Sequence, residues 1–274
     1  MVDRWTAQRA SERTFRLAEG PIWDAPRELV HWVEIEAGAV HTGRLTDRGV
    51  ELTRTRELDK MVAAIALGRT GDMLVAGQET LLVVDAEGKV TPGPRILPAG
   101  SGRRLNDGKC DPDGAFLVGT MQLSEEPGED EMLIRVGADR SLTTIDAGVG
   151  LSNGLAWSPD ASLWYYVDTV PGEIYVRAGN QERHVFLRDD WDPDGICTDA
   201  DGNLWVAVYG TGEVRRFSPE GVLTGVVEVA SPEVTCPVFV GPGLDRMLIT
   251  ARDGLYLVDV GATGLPAFDW AGFS

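Results

Sequence analysis

A pattern that recurs six times constrains the fold of this chain more than any other feature. Each copy is a turn rich in Asp, Gly, Pro or Ser, followed by a short strand rich in Leu, Val and aromatic residues. The copies are DAPRELVHWV from Asp24, GRTGDMLVAG from Gly68, DPDGAFLVGT from Asp111, SPDASLWYYV from Ser158, DADGNLWVAV from Asp199 and GPGLDRMLIT from Gly241. Successive copies start 44, 43, 47, 41 and 42 residues apart, which is the spacing of one four-stranded propeller blade.

The stretches between the copies predict the remaining strands of each blade. Alternating runs such as TLLVVDAEGKV and GEVRRFSPEG are typical of strands, and no segment shows helical periodicity. No linker divides the 274 residues, so we predict an all-β, six-bladed β-propeller that forms a single domain over residues 1–274. Closing the ring removes sheet edges, and we expect the segment near Phe15–Leu17 to help close the last blade.

Aligning the copies reveals a second shared position, five residues before each copy begins. Its occupants are Glu19, Ala63, Asn106, Asn153, Asp194 and Cys236. The stretches after this position, GPIW, AIAL, DGKC, GLAW, GICT and PVFV, are largely apolar, as expected for the innermost strand of a blade. Equivalent positions of six blades form a ring around the axis, so we predict that four polar side chains meet at one mouth of the central channel.

The chemistry of these ring residues favours a cation site. Glu19 and Asp194 would balance a divalent cation, and Asn153 adds an amide oxygen; such oxygen ligands suit Ca²⁺, Mg²⁺ or Mn²⁺. Three protein ligands leave positions for water and substrate, as in catalytic metal sites. Each motif alone is an ordinary turn signal, and Glu19 alone fits a surface acid. The occurrence of all four polar residues at one position of the repeat favours the channel site, because turn chemistry does not explain a glutamate at that position.

Other residues with reactive or charged side chains have both a functional and a simpler structural interpretation. Arg104 precedes Asn106 by two residues, so on an extended segment both side chains point the same way. An arginine there can orient an oxygen-rich substrate, but its spacing fits a solvated arginine equally well. Cys236 is interpreted as a channel-lining thiol. The sequence contains no G-x-S-x-G, H-E-x-x-H or G-x-x-x-x-G-K-[ST] motif. The remaining candidates are interpreted as surface or rim histidines (His31, His41, His184) and as core tryptophans (Trp23, Trp157).

Composition limits the partners and the compartment. The formal net charge is −18, from 43 acidic and 25 basic residues, which disfavours nucleic acid and anionic membranes as partners. The three cysteines lack C-x-x-C spacing and are odd in number, so we expect reduced thiols in a cytoplasmic protein. The N-terminal sequence lacks the apolar core of a signal peptide, and no apolar run is long enough to cross a bilayer. The sequence leaves open whether the protein is a monomer or a dimer.

Several motifs, in this order, resemble those of the regucalcin/gluconolactonase-like family, also called senescence marker protein-like lactonases. They are Glu19-Gly20-Pro21, Arg104-Leu105-Asn106-Asp107-Gly108-Lys109, Gly119-Thr120-Met121, Ser152-Asn153-Gly154-Leu155-Ala156-Trp157, Pro193-Asp194-Gly195, Leu204-Trp205-Val206-Ala207 and Thr250-Ala251-Arg252-Asp253-Gly254. The resemblance runs from about Glu19 to the C-terminus.

The resemblance implies a metal-dependent hydrolase that opens sugar-acid lactones. It implies one divalent cation bound by Glu19, Asn153 and Asp194, with Ca²⁺ favoured and Zn²⁺, Mg²⁺ or Mn²⁺ as alternatives. It also implies that Arg104 and Asn106 contact the lactone and that Asp194 acts as general base. The ring then has a metal side and a substrate side.

Two departures from the family pattern affect the expected pocket wall. Many members carry an acidic pair shortly after Gly-Thr-Met, whereas this chain has Gln122-Leu123-Ser124-Glu125. Many also insert a long loop where Leu255 here runs directly into Tyr256-Leu257-Val258. We expect both changes to affect which substrate fits rather than the metal. Two alternatives therefore stay open, a non-catalytic propeller that binds a cation or small molecule, and a metal-dependent esterase for another ester or lactone.

Overall fold

Each of the six repeats contributes antiparallel strands to one sheet, two of the sheets gain a strand from the N-terminus, and the six sheets form a β-propeller. The computed structural model describes residues 1–124, 128, 130–179 and 181–274. In these ranges no α-helix occurs, and two short 3₁₀ turns lie at Ala25–Arg27 and Ile35–Ala37. No described helix is long and apolar enough to span a bilayer.

Two N-terminal strands precede the blades, and blades one to three then follow in chain order. The strands are β1 (Asp3–Thr6) and β2 (Gln8–Arg9); β3 (Ala18–Asp24), β4 (Leu29–Glu34), β5 (Ala39–Thr46) and β6 (Gly49–Glu57) of blade one; β7 (Val62–Leu67), β8 (Met73–Gly77), β9 (Thr80–Val84) and β10 (Val90–Arg95) of blade two; and β11 (Arg103–Cys110), β12 (Phe116–Gln122), β13 (Glu131–Val136) and β14 (Leu142–Val149) of blade three.

Blades four to six complete the ring. Their strands are β15 (Ser152–Trp157), β16 (Leu163–Asp168), β17 (Glu173–Ala178) and β18 (His184–Arg188) of blade four; β19 (Asp192–Thr198), β20 (Leu204–Tyr209), β21 (Glu213–Phe217) and β22 (Leu223–Glu228) of blade five; and β23 (Val234–Val240), β24 (Arg246–Ala251) and β25 (Gly254–Val258) of blade six.

The repeated motif is the turn between the first and second strands of a blade, together with the second strand. Aspartates hold several of these turns by accepting backbone hydrogen bonds. Asp111 accepts from the N–H groups of Asp113 and Ala115, and Asp199 from those of Asp201 and Asn203. The second strands then bury large side chains between blades, including Trp32, Phe116, Tyr166 and Trp205. Their hydrophobic burial stabilises the packing of neighbouring blades.

The N-terminus closes the ring, as predicted, but through other residues than expected. β2 pairs antiparallel with β25, placing Gln8 opposite Leu257 and Arg9 opposite Tyr256. β1 adds to the edge of blade five, parallel to β22. The expected segment Phe15–Leu17 forms no strand, although the Phe15 side chain is buried and its N–H donates to the Asp253 carbonyl. Phe15–Leu17 instead leads from the closing strand into β3.

The first strands β3, β7, β11, β15, β19 and β23 line the central channel, each against the next, with β23 against β3. The ring residues lie near the starts of these strands. At the other end, a C-terminal segment from Gly264 to Ser274 crosses several blades. Trp270 donates its N–H to the Leu67 carbonyl, and Phe268 packs edge-on against Trp157. A cavity of about 490 Å³ lies between this segment and the channel wall.

The structure describes one of the two departures from the family pattern in full and the other only in part. β25 runs without interruption from Gly254 through Leu255 to Val258, so the absence of an insertion after Leu255 is confirmed. Gln122 ends β12 and donates from its amide to the Ser124 hydroxyl. Glu125 lies outside the described residues. All three cysteines are buried and free, as predicted.

Candidate functional site

Every channel-lining strand carries a β-bulge at or beside its ring position. The pairing register shifts between Glu19 and Ile22, Val62 and Ala64, Leu105 and Gly108, Ser152 and Leu155, Pro193 and Ile196, and Val234 and Cys236. The Asn-Asp-Gly, Ser-Asn-Gly and Pro-Asp-Gly motifs are therefore bulges inside strands, and the turn interpretation of them is wrong. A bulge turns a side chain out of the regular alternation, which here directs the ring residues toward the axis.

Glycine after the ring residue allows the channel strands to approach closely. A Cβ atom added to Gly154 would lie 2.5 Å from the Asp194 carbonyl oxygen, and one added to Gly195 would lie 2.5 Å from Cys236 Sγ. Both distances are too short for any side chain. The glycines therefore bring blades four, five and six together at the level of the ring.

The structure brings the predicted polar residues together in a buried cluster. Glu19, Asn106, Asn153 and Asp194 are each less than 10% exposed. Asn106 Nδ2 donates to Asn153 Oδ1 at 3.3 Å and to the Ser152 carbonyl at 2.9 Å. Arg104 Nη1 donates to Asn106 Oδ1 at 2.8 Å. A continuous network thus connects Arg104, Asn106 and Asn153 across blades three and four.

The two ring carboxylates are held in an electrostatically unfavourable environment. Burial, and then the negative charges of Asp107 and Asp194, raise the pKa of Glu19 well above its usual range. Burial and the charge of Asp107 likewise raise the pKa of Asp194, against the opposing effects of a hydrogen bond from Asn153 and the charge of Arg104. Like charges in a buried site favour protonation or a bound cation.

The donor set at Glu19, Asn153 and Asp194 fits a hard divalent cation. Glu19 Oε2 accepts from the Gly20 N–H, but the buried Oε1 has no hydrogen-bond partner among the described residues. An unpartnered carboxylate oxygen beside a second carboxylate is what such a cation would satisfy. In the described ranges, no three His, Cys, Asp or Glu side chains form a metal-binding group by themselves.

Arg104 is a buried arginine, and the surface interpretation of it is wrong. It is 8% exposed, and its Nη1 donates to the Leu105 carbonyl as well as to Asn106. Burial lowers its pKa to about 10, partly offset by the charges of Asp194 and Glu19, so it remains a cation at neutral pH. These contacts use one nitrogen of the guanidinium, which leaves the other donors for an oxygen-rich ligand.

Sequence reasoning missed three channel residues. Asp107 is buried, and its Oδ2 has no hydrogen-bond partner in the described part of the chain. Lys109 donates from Nζ to the Ile196 carbonyl at 3.0 Å. Thr169 accepts from Asn153 Nδ2 and donates to the Pro193 carbonyl, which orients the Asn153 amide. The alignment considered a single position per blade, and the bulge brings a second residue toward the channel. The signal for Asp107 is a carboxylate where the other blades have glycine, alanine or proline.

The histidines, the two tryptophans and Cys236 lie in surroundings that indicate packing or surface roles rather than catalysis. The surface or rim interpretation is wrong for His31 and His41, which are buried in blade one, whereas His184 is exposed. His41 contacts Glu34 and Thr55 through its two ring nitrogens, each at 2.9 Å. Trp23 and Trp157 are buried in hydrophobic clusters, as predicted. Cys236 lines the channel, and burial raises its thiol pKa well above the usual range, which argues against a nucleophile.

Comparisons with known proteins identify relatives in sequence and in fold. Residues 17–253 match the family model described as SMP-30/Gluconolactonase/LRE-like region. The chain is 28% identical to the pentonolactonase XacC of Haloferax volcanii, with 96% of this chain and 97% of the relative covered. It is 33% identical to an L-arabinolactonase of Azospirillum brasilense, with 87% and 82% covered. It also resembles the crystal structure of a calcium-binding protein, regucalcin, from Agrobacterium tumefaciens, with TM-score 0.89, 26% identity, and 98% and 99% covered.

Proposed function

The chain belongs to the SMP-30/gluconolactonase/LRE-like family, and we propose that it is a metal-dependent lactonase that opens sugar-acid lactones at the channel ring. One observation carries the proposal. Two buried carboxylates and an amide oxygen meet beside a buried arginine, although they come from four different blades. The names of the pentonolactonase and the L-arabinolactonase support a sugar lactone as the substrate class.

Glu19, Asn153 and Asp194 are the residues that would hold the cation. A divalent cation bound there would polarise the lactone carbonyl and stabilise negative charge that develops on its oxygen. Oxygen ligands favour Ca²⁺, with Mg²⁺, Mn²⁺ or Zn²⁺ as alternatives, and the calcium-binding regucalcin supports the first of these.

Arg104 and Asn106 form the substrate side of the site. The bond from Arg104 Nη1 to Asn106 Oδ1 fixes the guanidinium before a ligand arrives, which reduces the entropy lost on binding. The free guanidinium donors would bind the hydroxyl oxygens of the sugar ring. The Asn106 amide in turn holds Asn153 in place, so one network positions both sides of the site.

Asp194 is the proposed general base. It would take a proton from the water that adds to the lactone carbonyl carbon. The ring C–O bond then breaks, and the departing ring oxygen takes up a proton to leave a hydroxy acid. Its buried position and the hydrogen bond from Asn153 would hold the carboxylate in one orientation, as a positioned base requires.

A panel of aldonolactones tests the proposal. We would incubate the cation-loaded protein with each lactone and follow acid release by titration at constant pH. Asp194→Asn should lower turnover by at least about 100-fold, since it removes a base and a charged ligand. Asp201→Asn is the matched control, because Asp201 is exposed in the turn that follows the same strand, and it should retain turnover.

Normal lactone turnover by Asp194→Asn would disprove the mechanism. Tight cation binding without turnover of any lactone would instead support a non-catalytic binding propeller. Turnover restricted to other esters would support an esterase that uses the same residues.

A further inference from the structure

A second concave site lies between blades one and two, outward from the central channel. It is a cleft of about 410 Å³. Its arginine wall is formed by β5 and β6, the outer strands of blade one, whereas Glu19 lies on the innermost strand β3. Arg56 is in register with Glu19 across the sheet and lies three strands away from it, or roughly 14 Å. Blade sheets diverge outward from the axis, so the cleft begins where the buried contacts around Val40 and Val84 end.

Arginines dominate the blade-one wall of this cleft. Arg54 is paired with Thr42, and Arg56 with Val40, so these side chains share one face of the sheet. Arg44 lies on the same face, two residues beyond Thr42. All three line the cleft, and Arg44 and Arg54 are exposed. None of the three forms an ion pair with a described residue, in a chain whose net charge is −18.

Each carboxylate of the cleft accepts at least one hydrogen bond from a neighbouring residue. Asp24 accepts from Arg27 at 3.1 and 3.2 Å. Asp72 accepts from the Thr70 hydroxyl, and Asp85 accepts from the Lys89 N–H at 2.8 Å. The cleft therefore combines three carboxylates, one of which is paired with Arg27, with three guanidinium groups that form no ion pair with a described residue.

Two further features fit an anion. The Arg56 guanidinium reaches across to a turn of blade two, where a Cβ on Gly88 would lie 2.5 Å from its Nη2. His31 is 6% exposed and lines the cleft. Its Nδ1 lies 3.0 Å from the Thr42 hydroxyl, and its Nε2 has no hydrogen-bond partner in the described ranges, although it lies 3.5 Å from Asp24 Oδ2. The wall thus presents cationic forks together with a buried imidazole.

We propose that this cleft binds a small phosphorylated metabolite that carries one or two phosphoryl groups. Guanidinium forks match phosphate oxygens geometrically and bind them by charge-assisted hydrogen bonds. The volume is that of a small-molecule pocket. The net charge of −18 disfavours a long polyanion such as nucleic acid. The site is separate from the ring, so its ligand does not compete with a lactone.

Pyrophosphate is the probe for this site. We would titrate it into the metal-free full-length protein by calorimetry, so that no cation is available to bind the probe. We expect saturable binding to one site. The double variant Arg54→Gln/Arg56→Gln should weaken binding by at least about tenfold, because it removes two cationic forks. Aldonolactone turnover of the cation-loaded double variant should stay unchanged.

Arg48→Gln is the matched control. Arg48 is an exposed arginine of the same blade, makes no ion pair with a described residue and lies outside the cleft. Equal weakening by both variants would reduce the effect to general charge and overturn the proposal. So would the absence of saturable binding, or binding that the double variant leaves intact.

Discussion

At the scale of single residues, the ring combines acidic groups that destabilise one another when no cation is present. Glu19, Asp107 and Asp194 are all buried, and the pKa of each is raised, with burial as the first cause. A buried carboxylate with a raised pKa costs stability once it ionises. This cost is consistent with a site selected for binding and chemistry rather than for folding.

The Glu19→Gln variant tests this balance. The folded-state pKa of Glu19 lies above its value of 4.5 in the unfolded chain, so the folded chain binds more protons between these two pH values. The stability from Glu19 is therefore fully present below the unfolded pKa and is lost as the pH rises through the folded pKa. In chelator at about pH 7.5, Glu19→Gln should melt at least about 2 °C above the native chain in a thermal scan.

Calcium should reverse the order of the melting temperatures of the native chain and the Glu19→Gln variant. The native chain should gain stability by mass action, whereas Glu19→Gln should gain little because it lacks one charged ligand. Glu12→Gln, at an exposed position outside the ring, should behave as the native chain in both conditions. A metal-free Glu19→Gln that is less stable than the native chain at neutral pH would contradict this account.

At the scale of secondary-structure elements, the bulges in the channel strands decide where the polar side chains point. The bulge at Asn153-Gly154 brings β15 within contact of the Asp194 backbone. One extra residue in a strand thereby converts a regular alternation into a binding site. The glycine is required by the close approach of two backbones, not by an unusual φ angle.

We expect Gly154→Ala to reduce lactone turnover by roughly 100-fold while the fold persists. The added Cβ would lie 2.5 Å from the Asp194 oxygen and 2.7 Å from the Ile196 nitrogen, so β19 must shift. A misplacement of about 1 Å is enough for such a loss. Turnover measured at saturating calcium, together with the melting temperature, checks this expectation.

Gly202→Ala separates the effect on the site from general destabilisation. Gly202 has φ +82° in a turn at the opposite end of blade five, and an added Cβ there would have its nearest neighbour at 3.5 Å. This variant should lower the melting temperature through backbone strain and retain turnover. Equal turnover of the two alanine variants would show that the close approach at Gly154 does not position Asp194.

At the scale of the whole molecule, the ring depends on contacts between the first and last parts of the chain. Ala10 donates its N–H to the Leu255 carbonyl at 2.7 Å, and its own carbonyl accepts from the Val50 N–H at 2.7 Å. The Ser11 hydroxyl accepts from the Leu255 N–H. Residues next to the closing strand therefore connect blade six to blade one.

Ala10→Pro should weaken this closure. Proline removes the N–H and leaves the buried Leu255 carbonyl without its donor, which costs about 1–3 kcal/mol. For a chain of this size, the melting temperature should fall by several degrees. Hydrogen exchange should show the largest loss of protection in β25. Val2→Pro, at an exposed position ahead of β1, should leave both measurements unchanged; equal effects of the two variants would contradict a closing role for Ala10.

The sequence by itself determined the number of blades, the order of their strands and the four polar ring positions. It could do so because six repeats of regular length leave few other ways to bury six similar strands that are largely apolar. Glu19 occupies the same repeat position as Asn106, Asn153 and Asp194. This equivalence was enough to predict that residues from four blades line one channel.

Only the tertiary structure decided how those residues point and what surrounds them. Local sequence cannot distinguish a turn from a bulge, because both use Asn, Asp and Gly for the same backbone angles. The contact of Asp107 with the channel, the burial of Arg104 and His31, and the closure through Gln8–Arg9 each depend on neighbours from distant parts of the chain. The unpaired arginines of the cleft likewise become a site only when two blades lie side by side.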